Sequence, residues 1–407
     1  MPTLGARARA TPSASPGGSN RDRRASPASA RAEFDADANE RTTTTMVDRV
    51  FVVSDVHVDA TANAAWVRGL RDRRGCAGAG RDVLCVGGDV SDDVEEVRAA
   101  LEEFQSRGFA EVFYTFGNHE CWMNAEDERV GRETSVSKIR DLLAICEEMG
   151  VRTRPGKVGD GLWIAPLHSY HHRGFDTEPE VDAPEVPPVE RVMNDFRFAR
   201  WPDNLSDMTD DVARWCDGLN DHGWDEFVAS IEPGDKVLSF SHFLPRLELI
   251  PEKRMLFYPR LAQASGSEFL RKRVDTLKAR VNEGNLTHAF GHTHFGWNQT
   301  LDGVRYVQAA LATPSEWSKR PRSLEIGEFT NLSEEPLCVY EHGEFVEGQR
   351  AMWSDYYAAN ERAPEDVELL PHARQFIRQR WGPGRRATVS SDASSLHPGA
   401  TGVVERR

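Results

Sequence analysis

Five short motifs place aspartate, asparagine and histidine side chains in an order that could bind metal ions. The motifs are SDVH, GGD, GNHE, SH and GHTH, and they contribute Asp55, His57, Asp89, Asn118, His119, His242, His292 and His294. Carboxylate oxygens and imidazole nitrogens suit divalent ions such as Mn, Fe or Zn, and the motifs lack the thiolates of a structural zinc site. Any one motif is weak evidence alone, but five in order predict a metal centre.

The spacing within the motifs has a physical reason. In an extended segment the first and third side chains point to the same side, so Asp55 and His57 can bind one ion together. His292 and His294 have the same spacing, so they can also point to the same side. A carboxylate shared between two ions holds them about 3.5 to 4 Å apart, and Asp89 is the candidate for that role.

Some of these side chains also have simpler interpretations. An aspartate after a strand is a common turn former, and a histidine at a strand end, such as His242, can be a satisfied core residue. The ordered motif series favours the ligand interpretation. Asp59 and Glu120 stay outside the predicted catalytic set, because a solvated carboxylate beside a loop is equally common. His168, in the APLHSYHH segment, could line the substrate pocket or add an imidazole, and half-exposed loop histidines are the alternative.

The elements that position these motifs alternate between strands and helices. Apolar runs predict strands over 49–54, 82–86, 111–116, 161–167, 236–242, 286–292 and 305–311, and a hairpin over 338–348. Helical spacing of apolar residues predicts helices over 94–104, 136–149 and 268–281, with Ser91 as the first N-cap. Clustered prolines predict a long surface loop over 169–200. The alternation indicates an α/β domain.

The motif series resembles that of the calcineurin-like metallophosphoesterase superfamily, over about residues 49–311. The resemblance implies a four-layer α/β/β/α sandwich that holds two divalent metal ions (Mn, Fe, Zn or Mg) on loops at one end of the sheets. It implies that Asp55, His57, Asp89 and His294 hold the first ion, and Asp89, Asn118, His242 and His292 the second. His119 would face the substrate phosphate, stabilising the transition state or protonating the leaving oxygen.

The implied activity is hydrolysis of a phosphate ester by a hydroxide that bridges the two ions, with a small phosphomonoester as the expected substrate. Two alternatives are a nucleotide phosphodiesterase or pyrophosphatase, and a non-catalytic interaction scaffold of the same fold. Protein Ser/Thr phosphatases of the superfamily carry G-D-x-x-D-R-G, whose arginine binds phosphate, but this chain reads GGDVSDD. Phosphoprotein specificity is therefore disfavoured, and the pattern looks most similar to plant and algal phosphoesterases of undefined substrate.

Composition excludes several other classes of protein. A net charge of −15 disfavours binding to an extended nucleic-acid backbone. No apolar run approaches the ~18 to 20 residues of a membrane span, and the six cysteines show no paired spacing. These features predict a soluble intracellular protein, cytoplasmic or organellar, that is not secreted.

The two ends of the chain differ in composition from its centre. Residues 1–46 are rich in Ala, Ser, Pro and Arg, which suits a disordered tail or a plastid or mitochondrial transit peptide. The phosphoesterase domain is expected over 47–381, and residues 382–407 are expected to form a disordered tail.

Overall fold

Two β-sheets pack face to face between outer layers of helices. In this computed structural model the described residues are 47–74, 81–317, 334–346 and 351–382. The strands are β1 Arg49–Val53, β2 Asp82–Val86, β3 Glu111–Tyr114, β4 Gly156–Gly159, β5 Leu162–Pro166, β6 Lys236–Phe240, β7 Leu286–Phe290, β8 Trp297–Leu301, β9 Val304–Gln308, β10 Leu337–Glu341 and β11 Glu344–Phe345. The helices are α1 Thr61–Gly69, α2 Val94–Ser106, α3 Ala125–Val130, α4 Ser135–Met149, α5 Asp195–Phe198, α6 Asp211–Gly218, α7 Trp224–Ser230, α8 Glu268–Lys278, α9 Pro314–Trp317, α10 Met352–Ala359 and α11 Pro371–Trp381.

Both sheets are mixed, and each has a parallel centre. The first sheet has the order β11-β10-β1-β2-β3, with β1, β2 and β3 parallel to one another. The second has the order β4-β5-β6-β7-β9-β8, with β5, β6, β7 and β9 parallel. Because crossover connections between parallel strands place helices on the sheet faces, this topology requires outer helical layers.

Three apolar cores confirm the predicted four-layer α/β/β/α sandwich. The central core joins inward side chains of the two sheets, among them Val52 and Phe240. On the outer face of the first sheet, α1, α2 and α4 pack over residues such as Leu84. On the outer face of the second sheet, α7, α8 and α11 pack over residues such as Val237. The central strands β1, β2, β6 and β7 therefore bury both of their faces, as their nearly continuous apolar sequences require.

Local capping chemistry explains where α2 begins, and it corrects one prediction. The N-cap is Asp93, whose carboxylate accepts hydrogen bonds from the backbone N–H groups of Glu95 and Glu96. Ser91 was predicted as the cap, but its hydroxyl instead donates to Glu96 Oε2 at 2.7 Å. A carboxylate at this position also interacts favourably with the positive end of the helix dipole.

The segment 169–200 is mostly irregular, as its prolines predicted, but it is not confined to the surface. Residues along its length, including Tyr170, Phe175 and Val189, are buried in the two outer cores. The prolines limit regular secondary structure, but hydrogen bonds still join the segment to 243–267, among them those from Lys253 Nζ to the Glu178 carbonyl and from the Tyr258 hydroxyl to the Pro187 carbonyl. The segment is therefore a structural part of the domain.

Several predictions fall outside the described residues. They are the tail or transit peptide over 1–46 and, apart from Gly382, the tail over 382–407. Within the described part of the chain, no helix combines the length and apolar character needed to cross a bilayer.

A buried ion pair between α3 and α4 gives a prediction about stability. Lys138 Nζ donates to Asp127 Oδ2 at 2.7 Å, and both side chains are 1% exposed. Asp127→Asn would leave this ammonium buried without its counter-charge, so we expect the free energy of unfolding to fall by about 3–5 kcal/mol. Urea unfolding followed by circular dichroism measures the change. Glu126→Gln is the control, because its ion pair with Arg129 is exposed and its loss should leave stability unchanged. Equal effects of the two changes would contradict this account.

Candidate metal centre

The eight predicted site residues lie together at the carboxyl ends of the parallel strands. Asp55 and His57 follow β1, Asp89 follows β2, Asn118 and His119 follow β3, His242 follows β6, and His292 and His294 follow β7. Carboxyl ends of neighbouring parallel strands meet at one edge, where α/β proteins bind ligands. Ser54 forms a parallel bridge with Ala310, which follows β9, so the two sheets meet beside the site.

Five of the site residues adopt the left-handed backbone conformation. The φ angles are 53° at Asp55, 44° at His57, 52° at Asp89, 71° at His292 and 54° at His294. This conformation costs a non-glycine residue roughly 1–2 kcal/mol, and such residues cluster at functional sites. Five of the eight non-glycine residues with positive φ in the described part of the chain are thus predicted site residues.

These angles correct the prediction that the D-x-H segment is extended. Strand β1 ends at Val53, and the N–H groups of Asp55 and His57 donate to the carbonyls of Gly88 and Asp89, each at 2.9 Å. Hydrogen bonding to the neighbouring loop stabilises left-handed turns. Those turns, rather than strand pleating, bring the two side chains to the same side.

Asp55, His57 and His294 form the first cluster of possible ligand atoms. His294 Nε2 lies 3.0 Å from Asp55 Oδ1 and 3.5 Å from His57 Nε2. The other ring nitrogen, Nδ1, lies 3.1 Å from Glu316 Oε2. Burial lowers the pKa of His294, but the charges of Glu316 and Asp55 outweigh it and raise that pKa well above its usual value. A cation in the cluster would displace the Nε2 proton, while the Nδ1 N–H keeps donating to Glu316.

Asp89, Asn118, His242 and His292 form the second cluster. His242 Nε2 lies 3.3 Å from Asp89 Oδ1 and 3.0 Å from Asn118 Oδ1. His292 Nδ1 lies 2.9 Å from the same Asn118 oxygen and 3.3 Å from His242 Nε2. Two nitrogen and two oxygen atoms thus form a buried group in which each lies within 3.3 Å of at least one other.

In His242, His292 and Asn118, the atom that points away from the cluster donates a hydrogen bond. The atom that points into the cluster is therefore an acceptor. His242 Nδ1 donates to the Gly87 carbonyl at 3.0 Å, and His292 Nε2 donates to the Ala264 carbonyl at 2.8 Å. Asn118 Nδ2 donates to a carboxylate, so its Oδ1 faces inward. Acceptors this close repel one another unless positive charge lies between them. The donor set therefore fits a divalent cation.

Burial also favours the neutral form of two of these imidazoles. It is the main cause that lowers the pKa of His57 to about 4 and that of His292 to about 3, so both imidazoles are neutral at pH 7. Burial, followed by the nearby carboxylate of Glu120, raises the pKa of Asp89 well above its usual range. A cation at this position would relieve that repulsion and restore the ionised form.

His119 lies beside the clusters and is more accessible than the predicted ligands. Its side chain is 25% exposed, and Nε2 lies 3.6 Å from Asp89 Oδ2. The ring stacks on Trp122 with 3.7 Å between centroids and meets His57 edge-on at 4.7 Å. His119 Nε2 is also close enough to form a possible ligand group with His57 and Asp89. Distance alone therefore permits either role.

Glycines allow the motif loops to approach the ligands closely. A Cβ at Gly117 would lie 2.2 Å from Asp89 Oδ1, and one at Gly291 would lie 2.7 Å from Asp55 Oδ2. Either methyl group would displace a carboxylate oxygen from its present position. The glycines of GNHE and GHTH thus have a steric reason in this chain.

Comparison with known proteins agrees with this arrangement. The family model for calcineurin-like phosphoesterases matches residues 48–296, which include all five motifs. This chain belongs to the calcineurin-like phosphoesterase family.

A curated relative of this phosphoesterase is "[Acyl-carrier-protein] phosphodiesterase PptH" of Mycobacterium tuberculosis strain H37Rv. The two are 25% identical over 288 residues, which cover 67% of this chain and 80% of the relative. The crystal structure of Phosphopantetheinyl Hydrolase (PptH) from Mycobacterium tuberculosis aligns with a TM-score of 0.50 at 21% identity, covering 67% of this chain and 93% of that one. The structural match supports the same fold.

Glu120 has a larger part in the phosphoesterase site than we predicted. Its carboxylate is 1% exposed and accepts hydrogen bonds from the backbone N–H groups of Asp89 (3.0 Å), Val90 (2.7 Å) and Gly117 (2.7 Å). It therefore holds the GGD and GNHE loops together. Asp59, by contrast, is exposed.

The histidines of the APLHSYHH segment are neither half-exposed nor part of the ligand clusters found among the described residues. His168 is buried, stacks on Phe116 and lies 3.1 Å from Thr115 Oγ1. Burial lowers the pKa of His168 to about 4, so it acts as a neutral packing residue. The possibility that it lines the substrate pocket is not supported, because its ring is buried against Phe116.

Two carboxylates that contact predicted ligands lie in segments without a motif, and the sequence analysis missed them. Glu316 contacts His294, and Asp195 contacts Asn118. Burial alone would raise the pKa of Asp195, but the hydrogen bond and charge of His171 lower it to about 2. A buried aspartate that stays ionised beside a ligand is a feature that sequence spacing does not reveal.

Proposed function

We propose that this phosphoesterase hydrolyses a phosphodiester with two divalent cations. One observation supports this most directly: His242, His292, Asn118 and His294 direct their donors outward to carbonyls and carboxylates, which leaves their acceptor atoms facing the carboxylates of Asp55 and Asp89. A site with this charge requirement suits cations and, through them, an anionic phosphate group.

Each predicted ligand has a place in this proposal. Asp55, His57, Asp89 and His294 would hold one ion, and Asp89, Asn118, His242 and His292 the other. Bound ions would lower the pKa of the attacking water and neutralise charge on the phosphate oxygens. Nitrogen and oxygen ligands without thiolates favour Mn, Fe or Zn over softer ions.

His119 would act on the leaving group. Its ring is the most exposed among the predicted site residues, and Trp122 and Asp89 restrict its orientation. An imidazole held in this way could donate a proton to the departing oxygen as the P–O bond breaks. The same N–H could stabilise charge on a phosphate oxygen in the transition state.

Two observations favour a diester over the small monoester that the sequence suggested. In GGDVSDD, Asp93 occupies the position of the phosphate-binding arginine, and it caps α2. This position therefore lacks the arginine that would bind a monoester dianion, and the Asp93 carboxylate is directed to the N-terminus of α2. The relative, moreover, is named as a phosphodiesterase that acts on an acyl-carrier protein. A phosphopantetheinylated carrier protein is thus the first substrate to test, alongside nucleotide diesters.

Paired model substrates test this preference. We expect the Mn²⁺-supplemented protein to hydrolyse bis(p-nitrophenyl) phosphate with a higher kcat/KM than p-nitrophenyl phosphate. The two substrates share a chromophore, so one absorbance assay measures both. Chelator-treated protein is the control and should lose both activities. A higher kcat/KM for the monoester would refute the diester proposal and restore the original prediction.

The alternative of a non-catalytic scaffold is not supported, because the family match and the phosphodiesterase relative both indicate a hydrolase. Metal content by mass spectrometry separates the two, because a scaffold does not need a complete set of converging ligands. A folded, metal-supplemented sample that binds less than about one equivalent of transition metal would favour the scaffold.

A further inference from the structure

Asp195, at the start of α5, is a buried carboxylate surrounded by side chains of the candidate site. It is 1% exposed. Oδ1 accepts hydrogen bonds from Asn118 Nδ2 at 2.9 Å and from Trp122 Nε1 at 2.8 Å, and Oδ2 lies 3.1 Å from His171 Nε2. A buried carboxylate is costly unless it is well hydrogen-bonded, and these three groups satisfy it.

The first of these bonds decides which way the Asn118 amide faces. An ionised carboxylate only accepts hydrogen bonds, so the NH₂ group of Asn118 must face Asp195. Asn118 Oδ1 is then directed toward His242 and His292, at 3.0 and 2.9 Å. If the amide were reversed, its NH₂ group would face the ligand cluster and could not bind a cation.

The hydrogen bond from Trp122 to Asp195 affects His119, the proposed proton donor. Trp122 lies between Asp195 and His119, because its indole N–H binds the carboxylate while its ring stacks on the imidazole at 3.7 Å. Fixing the indole therefore restricts the tilt of His119. One carboxylate thus contacts a predicted ligand directly and the predicted acid through one aromatic ring.

We infer that Asp195 is a positioning residue that sets both the Asn118 ligand oxygen and the His119 ring. The inference rests on the proposed function and adds a residue from the 169–200 segment, which lies outside the motif series. Asp195 touches neither the phosphate nor the reacting oxygen in this scheme. Its effect passes through Asn118 and Trp122.

Asp195→Asn tests the inference with little change in shape. In the variant, the new NH₂ group must face one of the three groups that donate to Asp195, namely Asn118, Trp122 and His171. The Asn118 amide then loses its fixed orientation. We expect Mn²⁺ affinity, measured by calorimetry on chelator-stripped protein, to fall about 10- to 100-fold, together with kcat on the diester. KM should change little, because the substrate does not touch Asp195.

Asp235→Asn is the matched control. Asp235 is also a buried aspartate that accepts a tryptophan N–H, from Trp163 at 2.8 Å, but it lies outside the site. Both variants should lower Tm similarly, and only Asp195→Asn should weaken Mn²⁺ binding. Unchanged Mn²⁺ affinity and kcat in Asp195→Asn, beside an active wild type, would overturn this inference alone. A wild type that binds no Mn²⁺ would overturn the proposed function itself.

Trp122→Phe separates the two effects and serves also if Asp195→Asn fails to fold. It keeps an aromatic ring under His119 and the Asn118 bond, and it removes only the indole N–H. We expect wild-type Mn²⁺ affinity with a lower kcat on a diester whose leaving group is an alkoxide, which needs the proton from His119. A wild-type kcat would overturn the His119 part, and a loss of Mn²⁺ affinity would overturn the Asn118 part.

Discussion

Asp89→Asn should abolish turnover and weaken the binding of both metal ions. Asp89 Oδ1 lies 3.3 Å from His242 Nε2, and Asp89 belongs to possible ligand groups with His57 and with Asp55. The amide would present an NH₂ group in place of one carboxylate oxygen and remove a negative charge that both proposed ions share. Metal content by mass spectrometry and kcat on the diester measure the two losses.

Asp92→Asn, three residues along the same loop, provides the control for this change. Asp92 is half-buried and belongs to none of the possible ligand groups among the described residues. It should keep wild-type metal content and turnover. If Asp89→Asn retained both metals, Asp89 would not be the shared ligand.

His119→Ala should keep the metals and lose most of the rate. The side chain is directed to the accessible side of the cluster, and a positioned general acid typically contributes about 10²- to 10⁴-fold to a rate. The leaving group provides a sharper test. The loss should be small for p-nitrophenolate, which leaves without a proton, and large for an alkoxide, which needs one.

His222→Ala is a suitable control, because that exposed histidine interacts with Arg154 away from the motif loops. It should leave rate and metal content unchanged. Loss of metal in His119→Ala equal to that in Asp89→Asn would show that His119 is a ligand, which its distance to His57 and Asp89 also permits.

The sequence predicted the parts of the fold that have a strong local pattern. Strand β2 was predicted at its observed bounds, and the helices now labelled α2, α4 and α8 were predicted within a few residues. Buried parallel strands and amphipathic helices have characteristic apolar spacing, so one chain is sufficient to find them. The short edge strands β4 and β8 were missed, because few of their residues are apolar.

Long-range contacts explain what the sequence could not predict about the site. Asp195 and Glu316 meet the motif residues only after folding, and no spacing connects either carboxylate to Asn118 or His294. The left-handed turns at the motif residues depend on hydrogen bonds to neighbouring loops. The 169–200 segment was misjudged because prolines suggest a loop but do not indicate whether it is buried.

Anomalous diffraction from crystals grown with Mn²⁺ would test the central claim most directly, since it locates each ion without relying on activity. We predict two anomalous peaks, both within ligand distance of Asp89, one beside His57 and His294 and the other beside Asn118, His242 and His292. A single peak, or peaks away from Asp89, would contradict the two-metal site.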